Sequence, residues 1–483
     1  MKKKPQYLII FQCLIQQIYT GKIVVGDKLG SIQKMSKEYM VSKNTIKTVI
    51  KMLSEEGFIE TKAGARPVLI HNVSEKLVES ELVYEKILQI ADMYQVFSLI
   101  FPALAVYNIE RFTSKDLQEL YDIISYMEKN NSNHFIFREQ KLKYINKLIS
   151  KSNNLLIHSF CDIIQSNIMV SQITYSIDKL DDSSVDFFRD KYIEQIKQVY
   201  LYALNRNFTE FKQLLIYMYE KNREFTLEIV KKHISQEKAR DDFSSMALKN
   251  CYLYDLIVSD IISQIFEGNL KTGDCLPSIN SVISKYNISL PTVRSAYNEL
   301  NECGIAKTIN GKGTYITLFS EYTDDYIKTK EGAKRLKLLL DAMEFVTITL
   351  EDVVLLVGEN IDSVMIENIE AHLRHLQKNS EECNIYPDFV LLCKIVDCSE
   401  IYIMQEIFMH LKQYIVFGIY IERFFPEKYP EILKTRFGIC FEILMYLKKG
   451  DVKGFSVAFS NLFKKSFQQL KKCYVYIESI IEE

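Results

Sequence analysis

Glycine and proline are scarce, 16 and 8 in 483 residues. With so few turn-formers and with abundant Leu, Ile, Lys and Glu, the composition leaves little room for a loop-rich β architecture and favours a mainly helical chain. No long uninterrupted apolar run is present. The most apolar stretch, residues 93–107, holds Gln95, Ser98 and Pro102; it is too short to span a bilayer, so a buried core helix is expected and no membrane partner. Residues 1–5 are basic, but Gln and Cys interrupt the apolar segment after them, so no signal peptide is expected. The ten cysteines include no Cys-x-x-Cys pair, and no histidine stands near Cys393 and Cys398 at zinc-finger spacing. Reduced thiols in a cytoplasmic, nucleoid-associated protein are the expectation. Nucleophile-plus-base constellations, a Walker loop and a dinucleotide fingerprint are all missing, so no enzyme is expected.

What is present is an ordinary folded composition, 48% apolar and 25% charged. The chain is too long for a single core, and about three or four domains are expected. The net charge of −2 hides an asymmetry. Residues 1–73 carry 11 Lys and one Arg against five acids, a net +7. Residues 253–318 carry four Lys and one Arg against six acids, a net −1. A small domain at +7 suits a polyanionic partner, although an ordinary solvated surface also accommodates it.

The sequence repeats itself. Residues 19–68 align without a gap on residues 266–315, at a fixed offset of 247. Gly21 falls on Gly268, Gly26-Asp27 on Gly273-Asp274, Ser42 on Ser289, Thr45 on Thr292, Leu53 on Leu300 and Gly57 on Gly304. Fainter echoes lie downstream: residues 107–130 against 359–379, 150–157 against 396–403, and 204–211 against 447–455. The unit is a compact module followed by a longer helical one, and it occurs twice. The expected domains are 1–73, 74–250, 251–318 and 319–483.

In the compact module a helix is expected over residues 7–19, a second from Ser31, and a third after Ser42. Ile46, Val49, Ile50 and Leu53 recur at helical spacing and should face a core, as should Val293, Ala296, Tyr297 and Leu300. Ser42 and Ser289 suit N-caps, Pro291 suits a first turn, and Gly57 and Gly304 suit left-handed helix ends. Two short strands with a turn at Gly64 or Gly311 complete a winged helix-turn-helix. The outer face of the third helix carries Lys43, Asn44, Lys47 and Lys51, or Leu290, Pro291, Arg294 and Asn298 in the repeat. Such a face can hold phosphate and reach bases in the major groove, or simply be solvated.

These residues resemble the GntR family of bacterial transcription regulators. The repeat keeps most of the family pattern in "GNLKTGDCLPS", "ISLPTVRSA", "LNECGI" and "GKGTYI"; the first copy keeps "GKIVVGDKLGS", "VSKNTIKTV" and "LSEEGFI". The resemblance implies DNA contacts at Ser31, Gln33, Lys34, Ser42, Lys43, Asn44, Thr45, Lys47 and Arg66. In the repeat it implies them at Ser278, Asn280, Ser289, Leu290, Pro291, Thr292 and Arg294, and at the wing residues Lys312 and Gly313. Gln33 and Asn280 replace an arginine usual in the family, Leu290 and Pro291 replace polar residues, and the first wing reads "GARP".

The helical modules resemble the ligand-sensing domain of the FadR-like branch. Many such domains hold a metal with one Asp and three His, but Lys141, Ile145, Lys197 and Tyr219 stand at the matching positions. No metal is therefore expected there, and His372 and His375 lack further ligands. No cofactor is expected; a small-molecule effector between the helices is possible. The fold expected is mainly α: two winged helices, each with a small β-wing, alternating with two all-helical bundles. The expected function is sequence-specific binding of double-stranded DNA, by an internal pseudo-dimer on an imperfect palindrome, with further homodimerisation open. The alternatives are a plasmid-type replication initiator, and a regulator with one working reader and the second copy as scaffold.

Overall fold

The computed structural model describes residues 6–70, 81–168, 182–233, 253–318, 327–378, 386–418 and 429–482, apart from short breaks at 20–22, 24, 40, 63–64, 267, 287, 303 and 416. The chain forms two compact units, residues 1–249 and 250–483. The fold is mainly helical, with two short two-stranded sheets among the described residues.

In the first unit, α1 (Gln6–Tyr19), α2 (Ile32–Glu38) and α3 (Lys43–Glu55) precede β1 (Ile59–Glu60) and β2 (Val68–Leu69). In the second, α10 (Leu253–Phe266), α11 (Ile279–Tyr286) and α12 (Leu290–Glu302) precede β3 (Ala306–Ile309) and β4 (Gly313–Ile316). Both are winged helices, and the offset of 247 holds for their cores. Ile46, Val49, Leu53, Phe58 and Leu69 are fully buried; so are Val293, Ala296, Leu300, Ile305 and Ile316 at the matching positions. Each larger apolar side chain so buried contributes about 2 kcal/mol. The sheets carry a third extended segment, because Lys28 bridges Val68 and Cys275 bridges Tyr315, again 247 apart. Gly57 and Gly304 take positive φ, +78° and +71°, where a side chain would be strained. The expected turn at Gly64 lies outside the described residues.

Among the described residues each winged helix is followed by six helices of similar order. In the first unit they are α4 (Glu81–Ile109), α5 (Ser114–Lys129), α6 (His134–Leu148), α7 (Leu155–Ile168), α8 (Asp182–Leu204) and α9 (Phe208–His233). In the second they are α13 (Lys330–Gly358), α14 (Ser363–Lys378), α15 (Pro387–Asp397), α16 (Tyr402–Ile415), α17 (Tyr429–Lys448) and α18 (Val452–Glu482). In both, the first and last helices pack most extensively, α4 with α9 and α13 with α18. Sequence similarity here is faint because a bundle requires only that an apolar stripe recur, which many residues satisfy. Local contacts repeat more faithfully. Ser152 accepts from the Asn154 amide and Ser399 from the Ile401 amide, and the Ser152 and Ser399 carbonyls are bonded by His158 and Gln405.

The apolar stretch in α4 is longer than the sequence run suggested. Residues 90–109 are long and apolar enough by composition to cross a membrane, yet 72% of that window is buried inside the protein. Phe97 and Phe101 stack at 4.4 Å, and Tyr219 of α9 meets Phe97 edge-on at 4.7 Å.

Charge inside the bundles is mostly paired. Asp116 closes a capping box with Thr113 at the start of α5 and receives Lys147 at 3.0 Å and Lys151 at 2.7 Å. Burial pushes its carboxyl up, but these bonds hold it well below the usual carboxylate range. In the second unit Arg436 donates to both oxygens of Asp388, at 3.2 and 3.0 Å. Asp388 is buried, so Arg436→Met strands its carboxylate. A loss of about 3–5 kcal/mol is expected by urea denaturation, and most of it should return in the double variant Asp388→Leu/Arg436→Met.

Candidate nucleic-acid interface

The third helix of each winged helix begins at a serine. Ser42 accepts from the Thr45 amide at 3.1 Å, and its hydroxyl lies 2.8 Å from that of Thr45. Ser289 and Thr292 repeat the hydroxyl pair, also at 2.8 Å. Two hydroxyls in contact use one proton between them, so each pair keeps one O–H to donate outward. The second helix begins the same way. Ser31 accepts from the Lys34 amide and Ser278 from the Ser281 amide, both at 3.2 Å. Ser31, Ser42 and Ser278 thus each hold one first-turn amide, and a helix start of this kind is a place that attracts phosphate.

The first reader exposes Ser31, Gln33 and Lys34 on α2, Ser42, Lys43, Asn44 and Lys47 on α3, and Arg66 before β2. Thr45 is half-buried. Lys51 is drawn into an ion pair with Glu55 at 3.5 Å. Lys34, Lys43, Lys47 and Arg66 form no ion pair with a described residue, so their charge is available to a ligand. Lys28 adds an exposed ammonium on the segment bridged to Val68; one lysine in a loop carried no signal that would have singled it out.

The second reader exposes Ser278 and Asn280 on α11, Pro291 and Arg294 on α12, and Lys312 on the wing, with Ser289 half-buried. Leu290 is 40% exposed, an apolar side chain at the outer start of α12. Two of the expected contact residues are less exposed than most of the others. Thr292 is 2% exposed, so its methyl belongs to the core and its hydroxyl serves the cap with Ser289; its side chain is not a DNA-contact surface. Gly313 is half-buried with φ of +129°, and a Cβ there would stand 3.1 Å from the Cys275 sulfur. Its missing side chain answers a need inside the wing. Gly311, with φ of +77°, is the residue that turns the exposed tip.

Two contacts stiffen the second reader. Tyr297 donates to the Pro277 carbonyl, tying α12 to the segment before α11; burial pushes its phenol up to about 12. Asp260 of α10 receives the Lys285 ammonium at 3.0 Å and the Tyr286 hydroxyl. At the matching positions of the first reader Ile50 stands in place of the Tyr297 phenol and Cys13 in place of the Asp260 carboxylate, so neither bond has its counterpart there. A tyrosine among core-facing residues gave no hint that its hydroxyl would act as a clamp.

A match to "Bacterial regulatory proteins, gntR family" covers residues 6–67 and again residues 253–316. The chain carries the gntR-family winged helix twice, in tandem. It is 28% identical over 160 residues to the galactonate operon transcriptional repressor of Escherichia coli K12, covering 31% of this chain and 69% of that protein. It is 41% identical over 64 residues to the E. coli mannosyl-D-glycerate transport/metabolism system repressor MngR, covering 13% of this chain and 27% of that one. It is 35% identical over 65 residues to the repressor YtrA of Bacillus subtilis 168, 14% of this chain and half of YtrA. Among solved structures, E. coli McbR/YncC aligns over 47% of this chain and 99% of its own, at 13% identity and a TM-score of 0.27. All three relatives are named as repressors.

The caps supply a direct test. Ser42→Ala and Ser289→Ala each remove a hydroxyl at the start of a reading helix. Each is expected to cost about 1 kcal/mol of stability in the winged helix that carries it, read by hydrogen exchange of α3 or α12 amides.

Proposed function

We propose that this regulator reads an imperfect palindrome as a pseudo-dimer within one chain. Each winged helix takes one half-site, the two about one helical turn of DNA apart. The helical modules, residues 74–250 and 319–483, act as pairing and sensing domains of FadR-like kind, and the readers are residues 1–73 and 251–318. The observation that carries this reading is the recurrence, 247 residues apart, of the same helix caps and core beneath different outer side chains. The same fold presented twice with altered outer residues is what two unequal half-sites require.

The chemistry of each half differs. In the first reader Lys43 and Asn44 stand at the helix start, with Lys47 one turn in, where guanine O6 and N7 come within reach. Arg66 suits an adjacent minor groove. In the second reader Arg294 takes the place of Lys47 and offers a bidentate fork to guanine. Leu290 and Pro291 replace polar donors with an apolar edge, which favours thymine methyl groups. Lys312 at the wing tip reaches phosphate.

A second reading, in which the second winged helix serves only assembly, draws on the charge contrast of +7 against −1. No finding supports the replication-initiator alternative.

A nuclease footprint on DNA upstream of the protein's own gene separates the two. Two protected half-sites are expected. Lys47→Ala should weaken one and Arg294→Ala the other, each by roughly 5- to 100-fold, the loss of one base-reading side chain. Protection of a single half-site, indifferent to Arg294→Ala, would leave the second winged helix as scaffold.

A further inference from the structure

A cavity of about 290 Å³ opens in the first winged helix, between α1, the segment that precedes α2, and α2 itself. Among the side chains that line it, Leu29 and Met35 are buried, Gln17 and Tyr39 half-buried, and Asp27, Lys28 and Lys34 exposed. The cavity therefore has an apolar floor, a polar middle and a charged mouth. Lys28 and Lys34 form no ion pair with a described residue, whereas Asp27 has a partner of its own. The counterpart of Asp27, Asp274, accepts from the Lys271 amide at 2.7 Å.

The second winged helix closes the same place from within. Asp260 there receives the Gln264 amide at 2.9 Å and the Tyr286 hydroxyl. Gln17 and Tyr39 stand at the positions of Gln264 and Tyr286, but Cys13 replaces Asp260. Gln17 donates instead to the Tyr39 hydroxyl at 3.3 Å, a long bond. Both cations are particular to the first copy: Lys28 falls on Cys275 and Lys34 on Ser281. The winged helix thus folds without either lysine, and the fold does not account for their presence at the mouth of a cavity.

We infer that this cavity is a regulatory site in the first reader for a small phosphate monoester with a hydroxylated body. The two ammoniums take the phosphoryl oxygens at the mouth, and Gln17 and Tyr39 meet hydroxyls of the body. A phosphoryl group carries about −1.5 to −2 at neutral pH, which two lysines match and one would not. A phosphate of the DNA backbone needs exposed cations alone; a polar interior behind them suits a ligand with a body to insert. Lys34 is also one of the expected DNA contacts on α2, so monoester and DNA compete for its charge. Ligand binding should therefore release the half-site held by the first reader, a consequence that rests on the two-half-site reading.

Thermal unfolding of the DNA-free full chain tests the site, with ribose 5-phosphate and glycerol 3-phosphate as probes and ribose, glycerol and inorganic sulfate as controls. At about a hundredfold excess over its Kd, at least one monoester is expected to raise Tm by about 5 °C, and no control should match it. Lys28→Cys installs the residue of the second reader, whose backbone bridge to the wing is the same. It should weaken monoester binding by about tenfold or more, the loss of a bond between charged groups. Tyr39→Phe, which keeps the ring, should weaken it by about 2- to 10-fold and serves as the second readout if Lys28→Cys folds poorly. Lys43→Ala, outside the cavity, should leave the shift intact, which separates the site from the general pull of a basic domain on anions. The proposal is overturned if neither monoester exceeds sulfate, if the shift survives both Lys28→Cys and Tyr39→Phe, or if Lys43→Ala weakens it as much as Lys28→Cys does. In the footprint, the monoester should weaken the half-site sensitive to Lys47→Ala and spare the one sensitive to Arg294→Ala; equal loss of both overturns the assignment to the first reader. If a single half-site is protected, the pseudo-dimer reading fails while the thermal series still decides this one.

Discussion

The structure depends on a single division of labour along the third helix of each winged domain. One stripe of α3, Ile46, Val49 and Leu53, must be driven out of water, so that the opposite stripe is held rigidly in it. Hydrophobic burial has no direction of its own. The serine cap supplies the missing specification, because it fixes where the helix begins and hence which side chains occupy the first exposed turn. The two halves keep an apolar buried stripe and the serine at the helix start, while what faces outward changes. A duplicated gene can alter its reading chemistry in this way with little cost to folding.

The two readers have diverged in how they are held as well as in what they present. The first relies on apolar packing and carries unpaired cations on its surface. The second adds the Tyr297 bond to Pro277 and the Asp260 contacts with Lys285 and Tyr286, and presents fewer free charges. Association with a polyanion draws on long-range charge, whereas discrimination among bases draws on fixed geometry.

The helical modules follow the same logic at the scale of buried charge. Taking an ion out of water is tolerable only with a partner, and the bundles obey this at Asp116 and at Asp388. A duplication supplies its own control in the winged helices, since the polar side chains that Asp260 closes off in the second border an open cavity in the first.

Most of the winged-helix architecture was legible in the sequence, because its determinants are local. Caps, left-handed glycines and the i, i+3, i+4, i+7 stripe all act within a few turns, and their fixed spacings recur at an offset of 247. The longer helices of the bundles were legible only as helices. The sequence by itself determined that there are two winged helices, where the third helix of each starts, and which residues stand on its outer half. Only the tertiary structure decided that Thr292 turns inward, that Gly313 sits close against Cys275, and which buried charges find partners. Those outcomes depend on how far each helix is rotated against its neighbours and on residues distant in the chain, and neither is encoded in local spacing.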